Sequence, residues 1–482
     1  MVPLHVLFFP LMAHGHMIPT LDMAKLFASR GVKTTIVTTP LNAPIFTTNN
    51  LCTEINIRVI KFPTLEAGLP AGVENAGQIS DDMTPNFVRA TIMLQEPLEQ
   101  VLQEEQPHCL VADIFFPWAT KVAAKFDIPR IAFHGTSFFA ACASESMRLY
   151  KPHMTKFSSW TEPFVIPNLP HQIELTAMQI AVAEHDDQED SQTDFNKLVS
   201  EAIECELASY GVIVNSFYDL EPAYADHYSK VFGRKAWHIG PVSLCNTEFE
   251  DKACRGSNKA SINEHEYYLN WLNSKKPNSV IYVCFGSIAK FSTSQLCEIA
   301  MGLENSGQQF IWVVRKGGNQ EGNENWLPKG FEERMEGKGL VIRGWAAQVL
   351  ILEHEAIGGF VTHCGWNSTL EGVCAGVPMV TWPMFAEQFF NEKLVTEVLR
   401  IGVGVGAQQW NSAVTDGVMR EAIEEAVRRI MVGEEAEEMR SRAMAMKGKA
   451  IRAVEEGGSS YCHLNALIEE LSSYCVLEAS KI

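Results

Sequence analysis

The chain has 482 residues, and its 46% hydrophobic and 20% charged residues are typical of a globular protein rather than a disordered or fibrous one. Its 39 basic and 58 acidic residues give a formal net charge of −19, which disfavours binding to nucleic acid or to an anionic membrane surface. At roughly 100–200 residues per domain, this length predicts two to four compact units.

The first residues are apolar but have the features of neither a secretory signal nor a membrane helix. The first charged residue is Asp22, and Pro3, Pro10 and Pro19 interrupt the apolar stretch. The 12 cysteines are scattered and form no Cys-x-x-Cys pair, as expected where disulfides are not needed. We therefore expect a cytoplasmic protein without stable membrane insertion. We also expect it to be a monomer.

The first predicted elements form a strand, loop, helix and strand. An apolar strand is predicted at Leu4–Pro10, then a loop with Gly15 and His16, a helix over Ile18–Arg30 and an extended run at Thr34–Thr38. A neutral imidazole in that loop could remove a proton from a substrate hydroxyl near pH 7. On residue type alone, His14 and His16 are both candidates for this role.

Asp113 follows the apolar strand Cys109–Ala112 and is the first candidate partner for such a histidine. A carboxylate at the other ring nitrogen fixes the tautomer and stabilises the imidazolium. The alternative is that Asp113 caps a helix. Several aromatic residues nearby could line a pocket for a planar molecule or could pack in the core: Phe115, Phe116, Trp118, Phe133, Phe138 and Phe139.

A domain boundary is predicted after Pro241. The prediction assigns residues 1–245 to an N-terminal domain, 246–262 to an exposed linker and 263–459 to a C-terminal domain, with a helix at about 460–482 packing back on the first domain. The polar or glycine-rich stretches 184–194 and 316–325 are predicted to be solvated loops. Residues 416–473 have helical periodicity.

The order strand, loop, helix, strand returns about 275 residues after its first occurrence. The second copy has a strand at Ser279–Phe285, a capping box of Ser292 and Gln295 that opens a helix ending near Gly307, and a strand at Gln309–Val314. The repetition predicts one parallel sheet in each half. Ligands would then bind at the carboxyl ends of the strands, in a cleft with two walls.

The most informative stretch runs from Trp345 to Gln388. A strand at 358–362, a turn at 363–367 and a helix at 368–375 that Gly376 closes are followed by a strand at 378–382. A helix that opens directly after a strand directs backbone N–H groups at a ligand, which suits phosphate.

Side chains in this stretch add groups that a sugar nucleotide would need. His363, Asn367 and Ser368 can donate to phosphate, Trp345 has a flat face for stacking, and carboxylates and amides at Glu371, Glu387 and Gln388 can hold hydroxyl groups. Taken singly, Ser368 and Glu371 also fit a purely structural capping box. Trp345, Trp366 and His363 could likewise be structural.

The stretch closely resembles the signature of the plant secondary-product glycosyltransferases, which use UDP sugars. The matching motifs are Trp-x-x-Gln at 345–348, His-Cys-Gly-Trp-Asn-Ser at 363–368, Glu-Gly at 371–372 and Glu-Gln at 387–388. GHMIPTLDMAKLFASRG near the start and VCFGS at 283–287 are similar to the same family, so the resemblance covers the chain. One departure is Ala347, where the family usually has Pro, and its effect would be a slightly looser uracil pocket.

This resemblance implies an α/β fold of the GT-B class, with two facing Rossmann-like βαβ domains and an interdomain cleft. It implies an inverting transfer of glucose from UDP-glucose to a small phenolic acceptor such as a hydroxycoumarin, flavonoid or related phenylpropanoid. A triterpenoid or sapogenin acceptor is the alternative within the family. A non-catalytic sugar-nucleotide-binding protein is the alternative from another class.

The resemblance also implies residue roles. Trp345 stacks on uracil, Gln348 and Glu371 hold the ribose, and a final Gln at 388 goes with glucose. The whole predicted donor set is Ser287, Trp345, Ala346, Gln348, His363, Trp366, Asn367, Ser368, Glu371, Glu387 and Gln388. Of these, Ser287, His363, Asn367 and Ser368 hold the diphosphate, and Trp366, Glu387 and Gln388 hold the sugar.

For catalysis, the family pattern Gly-His with Pro three residues later selects His16 as the base, supported by Asp113. The acceptor-binding candidates are Phe115, Phe116, Trp118 and Thr136.

No metal and no other cofactor is expected, because the chain has no Asp-x-Asp motif and a helix N-terminus with neutral donors could hold the diphosphate. The sequence disfavours two other enzyme classes. It lacks a strand-linked G-x-G-x-x-G for a nicotinamide cofactor, and it lacks the G-x-S-x-G and H-E-x-x-H motifs of hydrolases.

Overall fold

The structure, a computed structural model, describes residues 3–48, 54–154, 159–180, 194–256, 262–314, 326–411, 413–414 and 417–479. The described residues within Met1–Thr136, Asp186–Asn258 and Arg452–Ile482 form a first unit, and those within Ser137–His185 and Lys259–Ile451 form a second unit. The domain boundaries that the sequence predicts at residues 245 and 263 remain a prediction. The loop predicted at 316–325, and all but the last residue of that at 184–194, lie outside the described residues.

The strands are β1 His5–Phe9, β2 Lys33–Thr38, β3 Ile55–Val59, β4 Cys109–Asp113, β5 Arg130–Phe133, β6 Pro163–Val165, β7 Glu174–Thr176, β8 Gly211–Val214, β9 Ala236–His238, β10 Val280–Cys284, β11 Lys290–Phe291, β12 Gln309–Val314, β13 Gly339–Arg343, β14 Ile357–Thr362, β15 Met379–Thr381, β16 Gly402–Gly404 and β17 Ala413–Val414.

The α-helices are α1 His14–Ala28, α2 Ala43–Thr48, α3 Thr84–Met93, α4 Gln95–Glu105, α5 Trp118–Ala124, α6 Phe138–Tyr150, α7 Asp194–Leu207, α8 Pro222–Lys230, α9 Phe249–Cys254, α10 Ile262–Asn273, α11 Thr293–Ser306, α12 Phe331–Arg334, α13 Gln348–Leu352, α14 Trp366–Ala375, α15 Gln388–Lys393, α16 Arg420–Val432, α17 Ala436–Val454 and α18 Ser459–Ala479. A π-helical turn at Leu394–Val398 continues α15. The 3-10 helices are Ala76–Gln78, Asp81–Met83, Pro152–Met154, Ala177–Gln179, Tyr218–Leu220 and Val242–Cys245.

Among its described residues, the first unit has a seven-stranded sheet in the order β3-β2-β1-β4-β5-β8-β9. Every neighbouring pair is parallel, as the sequence predicted for this half. The strand order reverses between β1 and β4, which pair with Phe9 opposite Ala112. Crevices at the carboxyl ends of strands flanking such a reversal are where open parallel sheets bind ligands.

The described part of the second unit repeats this architecture with a six-stranded parallel sheet in the order β13-β12-β10-β14-β15-β16. Here the order reverses between β10 and β14. Two small pairs accompany it, β11 with β17 in parallel and β6 with β7 antiparallel. The predicted repetition of βαβ units is therefore confirmed in both halves.

Strand β1 shows why the first sheet is stable with helices on both faces. Val6 and Phe8 enter one hydrophobic core, whereas Leu7 and Phe9 enter the core on the opposite face. This alternation follows from the two-residue period of a strand, and a strand buried on both faces is therefore mostly apolar. The last helix covers the first of these cores with leucine side chains at Leu464, Leu467 and Leu471.

Two helices begin earlier than their sequences predicted. Helix α1 starts at His14 rather than Ile18, so Gly15 and His16 lie in its first turn and not in a loop. Gly15 is a weak helix former and lay in the predicted loop, but Met17 and Leu21 are buried and tertiary packing outweighs propensity.

Helix α14 likewise starts at Trp366 rather than Ser368. The turn before it is short because Cys364 adopts a left-handed conformation with φ of 64°.

The capping box predicted at Ser292 is half confirmed. The Ser292 side chain accepts a hydrogen bond from the backbone N–H of Gln295 and caps α11, which ends before Gly307 as predicted. The Gln295 side chain instead donates to the Val418 carbonyl at 2.8 Å. The helices predicted over 416–473 are confirmed as α16, α17 and most of α18.

The stretch predicted to be an exposed linker is partly folded onto the first unit. Asn246 is only 2% exposed and donates to Asp22 at 2.8 Å, and Arg255 also donates to Asp22 at 2.9 Å. Helix α9 lies between these two residues. The buried Asp22 carboxylate on α1 therefore holds residues 246–255 by charge-assisted hydrogen bonds. None of the described helices is long and apolar enough to cross a bilayer.

Candidate active site

One group of candidate side chains is a histidine and an aspartate at the strand reversal of the first unit. His16 lies in the first turn of α1, which follows β1, and Asp113 is the last residue of the adjacent β4. The His16 Nδ1 atom lies 2.6 Å from Asp113 Oδ2. The Asp113 side chain is fully buried, whereas the His16 side chain is 22% exposed.

The second carboxylate oxygen fixes the orientation of Asp113. Its Oδ1 atom accepts a hydrogen bond from the backbone N–H of Phe115 at 3.1 Å. Helix α5 begins only at Trp118, with Pro117 in the capping position. Asp113 is therefore not a helix cap, and the alternative interpretation of this residue was wrong.

The surroundings of the His16 ring are close-packed on one side. A Cβ atom added to Gly135 would lie 3.9 Å from the ring, and Phe115 meets it edge-on with 5.9 Å between ring centroids. A carboxylate ion can only accept hydrogen bonds, so its bond to His16 places the proton on Nδ1. Nε2 then carries the lone pair with which an imidazole acts as a base.

The aromatic candidates for an acceptor pocket lie in different environments. Phe116 is fully buried and stacks on Phe9 at 4.3 Å, and Trp118 is 9% exposed in the same core. Phe115 and Thr136 are half-buried. Three further aromatic residues that the sequence put forward are at most 1% exposed: Phe133, Phe138 and Phe139. Phe115 lies edge-on to the His16 ring.

Another group of candidate side chains is a hydrogen-bonded cluster within the second unit. Gln348, at the start of α13, donates from Nε2 to Ser368 Oγ at 2.9 Å and to Glu371 Oε2 at 2.7 Å. The N-cap of α14 is Gly365, so Ser368 and Glu371 do not form the capping box that was their structural alternative. Three residues predicted to contact the donor are thus brought together by their own hydrogen bonds.

His363 follows β14 and lies between two glycines. A Cβ atom at Gly286 would come within 2.6 Å of its ring, and one at Gly365 within 2.4 Å. Gly286 follows β10, the strand next to β14, and precedes the predicted diphosphate residue Ser287. Only glycine at both positions lets the ring occupy this space, which brings the loops after the two central strands together.

Burial lowers the pKa of His363 to about 4, so its imidazole is neutral near pH 7. Its Nδ1 atom is buried without a hydrogen-bond partner among the described residues. A neutral imidazole can donate one hydrogen bond to an anion without the cost of burying a charge. The first turn of α14 follows directly, and its backbone N–H groups and helix dipole favour a phosphate.

Asn391 is a site residue that the sequence did not single out. It is fully buried, and its Nδ2 atom donates to the Cys364 carbonyl at 2.9 Å and to Glu387 Oε1 at 3.3 Å. It thereby joins the left-handed turn before α14 to a predicted sugar-binding carboxylate. Its position one helical turn after Glu387 was the available signal, because residues four apart lie on one face of a helix.

The remaining donor candidates differ in exposure. Trp345 is 38% exposed, as a stacking surface requires, whereas Ala346 and Trp366 are buried. Ala347 has a φ of −74°, which proline could adopt, and its backbone N–H donates to the Tyr268 hydroxyl at 3.2 Å. The backbone N–H that alanine has at this position, and that the usual proline would lack, therefore has a hydrogen-bond partner. Gln388 is 3% exposed and Glu387 is half-buried.

The sequence has close relatives among curated plant enzymes. It is 60% identical over 477 residues to scopoletin glucosyltransferase of Nicotiana tabacum, and the match covers 98% of each protein. It is also 60% identical to UDP-glucose flavonoid 3-O-glucosyltransferase 7 of Fragaria ananassa, over 97% of this chain and 96% of that protein. The model of the family UDP-glucoronosyl and UDP-glucosyl transferase matches residues 187–438.

The chain belongs to this family. It is a UDP-glycosyltransferase, and the enzyme class predicted from the signature stretch is confirmed. The alternative of a sugar-nucleotide-binding protein without activity, which the sequence left open, is not supported by these relatives.

Solved structures agree with this assignment. The glycosyltransferase matches UGT73P12 of Glycyrrhiza uralensis, solved with glycyrrhetinic acid 3-O-monoglucuronide, with a TM-score of 0.92 and 40% identity over 100% of this chain and 98% of that one. It matches UGT2 of Phytolacca americana, solved with UDP-2fluoro-glucose and pterostilbene, with a TM-score of 0.77 and 27% identity over 97% of this chain and 100% of that one. The fold is of the α/β GT-B class, as expected.

Proposed function

We propose that this glycosyltransferase transfers glucose from UDP-glucose to a hydroxyl group of a small phenol, with His16 as the general base and Asp113 as its support. The observation that carries the proposal is the 2.6 Å contact between His16 Nδ1 and Asp113 Oδ2 at the strand reversal of the first unit. This arrangement supplies a base with a fixed tautomer and a buried counter-charge for the imidazolium.

The proposed reaction is a single displacement with inversion. His16 Nε2 takes the proton from the acceptor hydroxyl as its oxygen forms a bond to the anomeric carbon of glucose. The bond from that carbon to the diphosphate oxygen breaks, and UDP leaves with the electron pair. Asp113 remains ionised and stabilises the imidazolium, and a β-glucoside forms because the oxygen attacks the face opposite UDP.

The donor is proposed to bind to the second unit. Trp345 stacks on uracil, the linked Gln348 and Glu371 hold the ribose hydroxyls, and the first turn of α14 with His363 holds the diphosphate. Ser287, Asn367 and Ser368 add donors there, and Ala346 and Trp366 lie beside these groups in sequence. Glu387 and Gln388 are proposed to hold the glucose hydroxyls. Both relatives at 60% identity are named as glucosyltransferases, which supports glucose as the sugar.

We propose that no metal ion takes part. Backbone N–H groups, a helix dipole and neutral side chains can together stabilise the diphosphate charge as it develops. Among the described residues, no group of three or more His, Cys, Asp or Glu side chains is placed to hold a metal.

The acceptor is proposed to be a hydroxycoumarin, a flavonoid or a related phenylpropanoid. The names of two relatives at 60% identity, scopoletin glucosyltransferase and a flavonoid 3-O-glucosyltransferase, support this class. Phe115, edge-on to His16, is positioned to contact a planar ring, and Thr136 is a weaker candidate contact. The structural match to a protein solved with glycyrrhetinic acid 3-O-monoglucuronide favours triterpenoids as the second candidate class.

We also propose a cytoplasmic monomer. The scattered cysteines and the formal net charge of −19 support the cytoplasmic placement.

A screen of UDP release tests the proposed substrates. The enzyme is incubated with UDP-glucose and a panel of hydroxycoumarins, flavonoids and triterpenoid alcohols, and each product is analysed by NMR. The proposal expects the highest kcat/KM for a phenol and an anomeric coupling constant of a β-glucoside. A higher kcat/KM for the triterpenoids would replace the phenolic class by the second candidate, and an α-glucoside would contradict the single displacement.

A further inference from the structure

Arg130 lies beside the main chain of Asp113 and is almost completely buried. It is the first residue of β5, next to β4 in the first sheet, and is 3% exposed. Its Nη2 atom donates to the main-chain carbonyl of Asp113 at 2.9 Å and to that of Ala112 at 3.3 Å. The guanidinium therefore holds the end of β4 that carries Asp113 by hydrogen bonds to its main chain.

This guanidinium is a cation with incomplete hydrogen bonding. Its Nε and Nη1 atoms are buried and have no hydrogen-bond partner among the described residues. Burial lowers the pKa of Arg130 to about 10, while Asp113 and Glu206 oppose that fall electrostatically, so the group stays charged near pH 7. Burying a charge whose donors are unsatisfied costs free energy. A residue that only donated hydrogen bonds to two carbonyl groups would not need a positive charge.

Acidic groups face Arg130 from two sides. Asp113 faces it from β4, and Glu206 and the Cys205 thiol face it from α7. Burial raises the pKa of Cys205, so its thiol is neutral near pH 7. Lys121, on α5, is a further cation near that thiol.

Glu206 is itself compensated from the other side. Burial alone would raise its pKa, but His134, Arg234 and a hydrogen bond from Tyr228 lower it to about 2. The Tyr228 hydroxyl and Arg234 Nη1 bond to Glu206 Oε1 at 2.8 and 2.9 Å, and His134 bonds to Oε2. Glu206 is therefore ionised, and its charge is already balanced by these partners. The charge of Arg130 is then available to act on the carboxylate of Asp113.

We propose that Arg130 is a positioning residue of the glucosyl transfer, which fixes Asp113 against His16 and lowers the pH at which the His16–Asp113 pair becomes an active base. The inference rests on the proposed role of His16. Its physical reason is that a nearby cation opposes protonation of the pair, whichever member holds the proton. The main-chain bonds keep the carboxylate within reach of Nδ1.

The test is the pH dependence of kcat/KM for the acceptor at saturating UDP-glucose, measured for wild type, Arg130→Gln and Arg130→Lys. Arg130→Gln keeps an amide donor for the carbonyls but removes the charge. We expect its acid limb to move to higher pH by about half a unit or more. Arg130→Lys keeps a cation, and its acid limb should stay at the wild-type pH, with an unchanged KM for UDP-glucose in both variants.

Arg234→Gln is the matched control, because Arg234 is a second guanidinium that pairs with Glu206, with a side chain only 10% exposed. It should lower the melting temperature without moving the acid limb. An unmoved limb in Arg130→Gln, or an equal shift in Arg234→Gln, would overturn the inference. If Arg130→Gln does not fold, the Arg130→Lys variant decides. A shift of its acid limb overturns the inference about Arg130, and an acid limb at the wild-type pH supports that inference.

A His16→Ala variant assayed in parallel separates the two proposals. If it turns over at a near-normal rate, the proposed base is wrong and the role of Arg130 falls with it. If it is inactive while Arg130→Gln keeps the wild-type limb, only the inference about Arg130 is wrong.

Discussion

The ring of His363 occupies space that two glycines leave open, and this contact gives a sharp test of the donor site. Alanine at Gly286 would place a Cβ atom 2.6 Å from the ring at a residue whose φ is 72°. We expect Gly286→Ala to displace His363 and to raise the KM for UDP-glucose by about tenfold or more, because the diphosphate loses a donor. Steady-state kinetics with varied UDP-glucose measures this change.

Gly307→Ala is the matched control for this variant. Gly307 has a similar φ of 69°, follows the end of α11, and has nothing within 4 Å of an added Cβ atom. It carries the same backbone strain without the clash, so its KM should remain that of wild type. Equal KM values for the two variants would show that strain, and not the position of His363, is responsible.

Substitution of Gln388 tests which sugar the enzyme prefers to transfer. Its Oε1 atom accepts hydrogen bonds from the backbone N–H groups of Met384 at 2.9 Å and Phe385 at 3.2 Å, which leaves its NH₂ group to donate to the sugar. Gln388→His should lower the rate with UDP-glucose relative to UDP-galactose, because the imidazole cannot reproduce both functions. Competition between the two donors measures the ratio, and an unchanged ratio would argue against this role.

For single residues, the sequence predicted the side chains proposed to contact the substrates directly. It did not predict the buried side chains that hold those residues in place. The signature motifs pointed to Gln348, Ser368 and Glu371, which the structure joins by hydrogen bonds. Asn391 and Arg130 were not predicted, because their roles depend on which buried atoms lie next to them. Amide and guanidinium groups have many structural uses, and sequence spacing alone does not distinguish these uses.

At the scale of elements, a buried glutamate connects α15 to the end of strand β15 in the second sheet. Glu392 Oε1 accepts a hydrogen bond from Thr381 Oγ1 at 2.9 Å, and burial raises the pKa of Glu392 from 4.5 to about 7. Between pH 4.5 and 7 the folded protein keeps a proton that the unfolded chain has lost. The stability from Glu392 is therefore greatest below pH 4.5, falls as the pH rises, and is lost above pH 7.

Glu392→Gln should remove this pH dependence. The full cost of ionising the buried carboxyl is on the order of 3 kcal/mol or less. We therefore expect the melting temperature of the variant to exceed that of wild type by several degrees at pH 8. Thermal unfolding measured for both proteins at pH 5 and pH 8 checks this. A difference that is the same at both pH values would contradict the raised pKa.

Element types were predictable here, whereas the starts of the two helices that matter most were not. The central strands follow from their unbroken apolar runs, as at β10 and β12, because a parallel strand is buried on both faces. Helices α1 and α14 both begin earlier than predicted, with Gly15 and Trp366 inside them. In each case packing or a left-handed residue outweighs local propensity.

At the scale of the whole molecule, the order of strands within each sheet could not be predicted from sequence. His16 and Asp113 are 97 residues apart, and they meet because β1 and β4 are neighbours at the strand reversal. Ser287 and His363 likewise follow the neighbouring β10 and β14. The sequence placed each residue at a strand end, but non-local pairing decided which ends lie together.

The proposed diphosphate site makes a prediction for the complete enzyme. If backbone N–H groups and neutral side chains stabilise the leaving UDP, an excess of EDTA should leave the rate of glucosyl transfer unchanged. Activity is measured before and after dialysis against the chelator, with added Mg²⁺ as the comparison. Loss of activity that Mg²⁺ restores would show that the transfer depends on a metal.

The role of His16 as the general base is tested by the transfer rate of His16→Ala, with His14→Ala as its control. His14 lies in the same first turn of α1, and both histidines were candidates from sequence. We expect His16→Ala to lose a factor of about 10²–10⁴ in kcat while UDP binding by calorimetry stays at the wild-type affinity, and His14→Ala to retain activity. Near-normal turnover of His16→Ala would show that His16 is not the base of the transfer.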